Sequence, residues 1–324
     1  MGYRNRTFLT IGLLLVLVSS KGLAINDGGR QLPRQASETP LVPVWLTNGF
    51  STSETDHFIV AHDTGSTEAA DLAYRLEYAY KHFYRFFEQF GFELQTLTER
   101  LSWISFTEPS DFSQYAQWAD RMDLSRLSGY YSAKTNRVAI VGSALPKDAA
   151  AVGLVLRRPA DTDGNIAAMA GDDDPNQFVK IAHELAHQLA FNTGLQKRGV
   201  MYPLWVSEGL ATQYETKLSF CRDNNTARNA RLAEMQACGR LIPLDAFIGV
   251  TRLPAEQYLC EDLYAQAWGF FNFLLENRPD QLRSYLAMLH AGRTGYRPPV
   301  TVSKEFTDHF GPLQQLQTEW LRSL

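Results

Sequence analysis

The stretch Phe178-Val-Lys-Ile-Ala-His183-Glu184-Leu-Ala-His187-Gln-Leu-Ala190 decides how the rest of the chain is read. Phe178, Ala182, Leu185 and Leu189 recur at helical steps, so the spacing predicts an α-helix with one apolar stripe. His183 and His187 are four residues apart and therefore lie one turn apart on a single face. Two imidazoles so placed can reach one metal ion, and Glu184 beside them suits a general base better than a ligand. At about 100° per residue the histidines point roughly 130–170° away from the stripe. A helix packed on its stripe would aim them into a cleft.

The next informative stretch is Pro203-Leu-Trp205-Val-Ser-Glu208-Gly209-Leu-Ala-Thr-Gln-Tyr-Glu215. Tetrahedral zinc with one position left for water needs a third protein ligand besides two histidines. Glu208 follows His187 by 21 residues, room for one helix to end, turn and return as a second. Pro203 suits the first turn of that second helix. Gly209 would let the second helix approach the first closely.

His183-Glu184-x-x-His187 followed by Trp205-x-x-Glu208-Gly209-Leu-Ala resembles the gluzincin metallopeptidases. Within them it is most similar to the peptidase MA-like group of secreted bacterial proteins of unknown function. The resemblance runs in motif order from about Asp56 to the C-terminus. It implies an α+β, zincin-like fold, with a small N-terminal mixed sheet and its helices beside a mainly helical C-terminal half. It implies one Zn²⁺ per chain, held by His183, His187 and Glu208, with Glu184 as the base in peptide-bond hydrolysis. Related enzymes take an oxyanion donor from a later helix, and Tyr264, 56 residues after Glu208, suits that role. Tyr202, Tyr214 and Tyr258 are rivals, and a buried aromatic of its own helix is the other reading of Tyr264. In thermolysin-like enzymes an acid one turn after the glutamate ligand orients a metal histidine. Here Thr212 stands at that position, and Glu215 is the carboxylate that could replace it.

Working outward, Met1–Ala24 has Arg4 and Arg6, an apolar core from Phe8 to Val18, and Gly22-Leu-Ala24 as a cleavage site. This reads as a cleaved export signal, too short to span a bilayer comfortably. The expected location is periplasmic or extracellular, with no membrane span after cleavage. Residues 25–55 are rich in Gly, Pro, Ser and Thr and read as a flexible tether or surface wrap. The peptidase-like part is then residues 56–324, an α/β portion over 56–174 and a helical portion over 175–324.

In the first portion, His57–His62 reads as a strand, Thr67–Phe90 as a long amphipathic helix and Leu101–Thr107 as a second strand. Gly129–Ser132 and Arg137–Val141 read as a hairpin. By the family resemblance, that hairpin is a candidate for pairing with extended peptide, with an ordinary sheet member as the equal alternative. Asp174-Pro175 has helix-start chemistry, and Pro146–Pro175 reads as a loop or an approach to the helix. Past Glu215 the chain reads as helical, notably at Leu263–Leu275, Pro279–Leu289 and Pro312–Leu321.

Composition narrows the alternatives. Hydrophobic residues make up 45% of the chain, enough for a sizeable core. A net charge of −4 without a basic stripe argues against a nucleic-acid partner. His57, His62 and His82 have no partner at metal spacing and read as structural or surface residues. Cys221 and Cys238 flank a polar segment and form one candidate disulfide, with Cys260 odd or paired otherwise. The expected partner is a peptide or protein substrate, and oligomeric state is not legible. Two rival functions stand beside the peptidase: a zinc-containing scaffold without catalysis, and an amidase of cell-wall peptides. The chain lacks the Gly-Ala-Met-Glu-Asn signature of exopeptidases, which favours an endopeptidase.

Overall fold

The strand Leu101–Phe106 shows how the molecule is layered. Leu101 and Trp103 enter one hydrophobic cluster, while Ile104 and Phe106 enter another, as the two-residue period of a strand requires. The computed structural model describes residues 40–46, 49–125, 127–142, 175–217, 225–254 and 256–324. Five strands make one sheet: β1 (Ser51–Glu54), β2 (Phe58–His62), β3 (Leu101–Phe106), β4 (Gly129–Ser132) and β5 (Arg137–Val141). Their order is β1-β2-β3-β5-β4, with β2, β3 and β5 parallel and both edge strands antiparallel to their neighbours.

One sheet face carries Phe58, Val60, Leu101, Trp103, Tyr131, Val138 and Ile140, and all of them share a core with helix α1 (Ser66–Glu88). The opposite face carries Ala61, Ile104, Phe106, Tyr130 and Ala139 under helix α2 (Pro109–Asp120) and the turn Val44–Leu46. Helices on both faces of a partly parallel sheet leave little of it to water.

Helix α3 (Pro175–Asn192) lies on the α1 side, against α1, β4 and β5. Gln188 fastens it there. Its carboxamide oxygen accepts the Trp103 indole N–H at 2.7 Å, and its nitrogen donates to the Asn136 carbonyl at 3.0 Å. Helix α4 (Leu204–Lys217) packs between α3 and α7 (Gln257–Asn277), and α5 (Thr226–Ala237) also packs on α7. The short α6 (Leu244–Phe247), α8 (Pro279–Ala291), α9 (Pro299–Phe310) and α10 (Leu313–Ser323) complete the helical half. Trp205 of α4 is a pivot of that half, stacked on Tyr285 and edge-on to Phe270 and Phe306. Burying such side chains contributes about 1.5–3 kcal/mol each.

The molecule is therefore α+β, with a small mixed sheet and a mostly helical remainder. Among the described residues, no helix is long and apolar enough to cross a membrane. Three expectations need correction. The tether expected through residue 55 ends earlier, because Ser51–Glu54 pairs with β2 through main-chain bonds that its polar side chains do not oppose. Helix α2 is not among the expected elements, and α5, α6 and α9 fall only under the general expectation of helix past Glu215. The closeness expected from Gly209 is real but faces α7 and not α3: a Cβ there would lie 2.6 Å from Phe271 Cβ and 2.7 Å from the Ala267 carbonyl. Residues 1–24, Cys221 and the 146–174 loop with Asp174 lie outside the described residues.

Candidate metal centre

Two helices supply three ligating groups. His183 and His187 project from one face of α3, and Glu208 comes from the second turn of α4, which Pro203 starts by accepting from the Val206 and Ser207 N–H groups. The histidine Nε2 atoms are 3.1 Å apart, and Glu208 Oε2 is 3.3 Å from the one on His183 and 3.6 Å from the one on His187. One ligand atom from each residue falls within 4.8 Å of the other two, so this buried group can hold a metal ion. Two nitrogens and a carboxylate oxygen form a donor set that suits a divalent transition metal. Among the described residues neither oxygen of Glu208 has a hydrogen-bond partner beyond the contacts of Oε2 with the two histidines, although the residue is 1% exposed. Buried carboxylate oxygens without donors are costly, and a bound cation satisfies them.

The histidines are held from behind unequally. His183 Nδ1–H donates to Glu215 Oε1 at 3.1 Å, the usual way a carboxylate fixes the ring and tautomer of a metal-binding histidine. His187 Nδ1 has no hydrogen-bond partner among the described residues. Thr212 cannot orient either ring, because its hydroxyl donates to the Glu208 and Gly209 carbonyls of its own helix, at 2.6 and 3.2 Å. Glu215 is seven residues from Glu208, almost two full turns, and so returns to the same side of α4.

Charge follows geometry. Burial alone would lower the His183 pKa, but Glu208 and Glu215 outweigh it and hold the ring up to about 10. Burial would raise both carboxyls; His187 and His183 bring Glu208 down to about 2, and Arg228 and His183 bring Glu215 down to about 2. Burial lowers His187. Glu184 goes the other way, pushed up to about 8 chiefly by burial. Its oxygens lack a hydrogen-bond partner among the described residues; the Tyr131 N–H on β4 favours the charged form without reaching hydrogen-bond geometry.

The described structure brings Tyr264 of α7 to the site, its ring edge-on to His183 at 6.1 Å between centroids. Burial first, and then the Glu208 and Glu184 carboxylates, raise its phenol well above the usual value. The rivals point elsewhere. Tyr202 accepts the Lys197 N–H, Tyr214 packs on Phe83 and His82 of α1, and Tyr258 is largely exposed.

A family model described as "Protein of unknown function (DUF1570)" matches residues 177–295. That span runs from α3 past α8 and contains every residue named above as part of the centre. Comparison with curated proteins found no match.

Among the described residues no cleft opens on the centre as expected: His183, Glu184 and His187 are 0% exposed. The stripe of α3 is not its only covered side, since α4 packs on α3 and sets Glu208 and Glu215 against the histidines. Strand β4 is an edge strand of the sheet and packs on α3, and all four of its residues are buried. The remaining histidines stand apart. His57 donates to Glu77 at 2.7 Å, and His62 is bonded to Ser53 and the Thr64 carbonyl. No disulfide joins the described cysteines: Cys238 is exposed, and buried Cys260 donates to the Pro254 carbonyl. Sequence reasoning missed Arg228 and Asn225, which bind Glu215 from α5 and lie in a segment that reads only as polar.

Proposed function

We propose that this chain is a single-zinc, gluzincin-type peptidase with a zincin-like arrangement, exported and acting as an endopeptidase. The observation that carries the reading is the convergence of His183, His187 and Glu208 beside a buried Glu184 carboxyl that has no hydrogen-bond partner among the described residues. A purely structural metal site has no use for that carboxyl. Zinc bound by these three residues supplies a Lewis acid for a peptide carbonyl and lowers the pKa of water toward ~7.

The chain's own residues do the rest. Glu184, buried beside the three ligands, would take a proton from the attacking water and pass it to the leaving amine as the C–N bond breaks. Glu215 keeps His183 in the tautomer that leaves Nε2 free to ligate. Tyr264 holds its proton and can donate to the developing oxyanion. Export rests on the Met1–Ala24 signal pattern.

The enclosure of the centre favours a second reading, a zinc-containing binding protein without turnover, because a peptide needs access to the metal. The two part on experiment. Elemental analysis of the mature chain should find one zinc, lost in His187→Ala. Peptide libraries should then be cleaved by the wild type, spared with chelator, and spared by a Glu184→Gln variant that keeps its zinc. Zinc without cleavage leaves the binding protein, and no zinc after reconstitution sinks both.

A further inference from the structure

The second layer of the centre reaches across to a third helix. Glu215 accepts four hydrogen bonds: His183 Nδ1–H at 3.1 Å, Arg228 Nη2–H at 3.0 Å, Arg228 Nε–H at 3.2 Å and Asn225 Nδ2–H at 3.2 Å. The two bonds from Arg228 form the planar fork that only a guanidinium offers a carboxylate. The same guanidinium lies over the Tyr264 ring, with Cζ 5.3 Å from its centroid. Arg228 thus touches the group that orients one ligand and the phenol assigned to the oxyanion, and it belongs to neither helix that bears a ligand.

Its own position is fixed from two sides. Asn225, the N-cap of α5, accepts the Arg228 N–H at 3.1 Å while its amide binds Glu215. Helix α5 is held on α7 by close packing, since a Cβ on Gly269 would lie 2.5 Å from Leu232 Cδ2. Arg231 adds an ion pair to Asp262 of α7 at 2.5 Å.

Charge gives the arrangement its purpose. A buried carboxylate such as Glu215 is costly unless it is paired, and Arg228, with 21% of its side chain exposed, is the cation that balances it. We infer that Arg228 is a positioning residue of the metal centre, holding Glu215 on His183 and the Tyr264 ring in place. This rests on the zinc reading above, and it assigns to α5 a part in metal retention that no ligand motif records.

The test is zinc affinity of the full mature chain, measured by competition with a chromogenic chelator for wild type, Arg228→Met, Arg228→Lys, Glu215→Gln and the Arg228→Met/Glu215→Gln double variant. Arg228→Met and Glu215→Gln should each lose about ten- to a hundredfold in affinity, the usual effect of removing such a partner. Arg228→Lys, with charge but no fork, should fall between. The double variant should bind no more weakly than the weaker single one, because Arg228 acts through Glu215. Independent losses that multiply in the double variant overturn the inference, as does wild-type affinity in folded Arg228→Met. If Arg228→Met does not fold, wild-type affinity in Arg228→Lys overturns it instead. A wild type without zinc removes this inference and the zinc reading together. A wild type that binds zinc but cleaves nothing removes the peptidase reading alone.

Discussion

At the scale of single residues, the centre is a balance of buried charges whose signs predict a pH profile. In protein stripped of metal, Glu208 and Glu215 have carboxyls held down to about 2, against an unfolded value of ~4.3. Their stabilisation is complete above that unfolded value and is lost as pH falls through about 2. His183 is raised to about 10, so its contribution is complete below ~6.5 and disappears as pH rises through about 10. Glu184, raised to about 8, loses its contribution progressively from ~4.3 up to about 8, while His187, lowered by burial, gains with rising pH up to ~6.5 and offsets that loss below it. The stripped protein should therefore be most stable at weakly acidic pH, between ~4.5 and ~6.5. Thermal melts in chelator across pH 3–9 check this, and a maximum at pH 8 or above contradicts it. Added zinc should move the maximum upward, since metal takes the His183 Nε2 that a proton otherwise holds.

At the scale of elements, the site depends on how α4 is wedged. Gly209 follows the ligand Glu208 and meets α7 with no room for a methyl group, a backbone carbonyl being one of the obstacles. Gly209→Ala should destabilise the fold by about 1–3 kcal/mol and push Glu208 out of reach of the two histidines. Calorimetry and zinc affinity on the same sample read both effects, and an unchanged melting temperature would show that α4 and α7 can part freely. The same element shows what sequence reveals and what it hides. Periodicity and spacing exposed α1, whose apolar residues line one buried face, and also α3 and the β4–β5 hairpin, whose apolar steps and turn residues mark them although they are buried on both sides. The pair His183 and His187 was legible because i and i+4 on a helix are neighbours whatever surrounds them. Strand β1 was hidden because an edge strand of Ser, Thr and Glu is held by main-chain bonds, which leave no apolar pattern. Gly209 was read as close-packed, but its partner α7 lies some fifty residues on. Arg228 gave no signal at all, since its contact with Glu215 spans two helices and its neighbours are polar.

At the scale of the whole molecule, the sheet and the helical half are not separate bodies. One hydrophobic cluster runs without a break from Phe58 and Trp103 of the sheet, through Leu185 and Leu189 of α3, to Trp205, Phe306 and Trp320. Elements that share a core lose it together. Urea unfolding should therefore give one transition, with tryptophan fluorescence and far-ultraviolet circular dichroism coinciding. Two separated transitions would mean that residues before and after α3 fold as independent units. Zinc should shift that single midpoint as a whole, because its ligands sit on two helices at the centre of this core.

The offset of Glu215 from Glu208 carries a last consequence. Seven helical residues make a rigid ruler of about 10.5 Å. The metal centre measures α4 with it, because one end of the ruler ligates and the other steers a ligand's ring. One residue inserted between the two marks would swing Glu215 about 100° around the helix and away from His183. One inserted beyond Lys217, the last described residue of α4, leaves the ruler unaltered. The length of this short piece of backbone is therefore as much a part of the site as the side chains it bears.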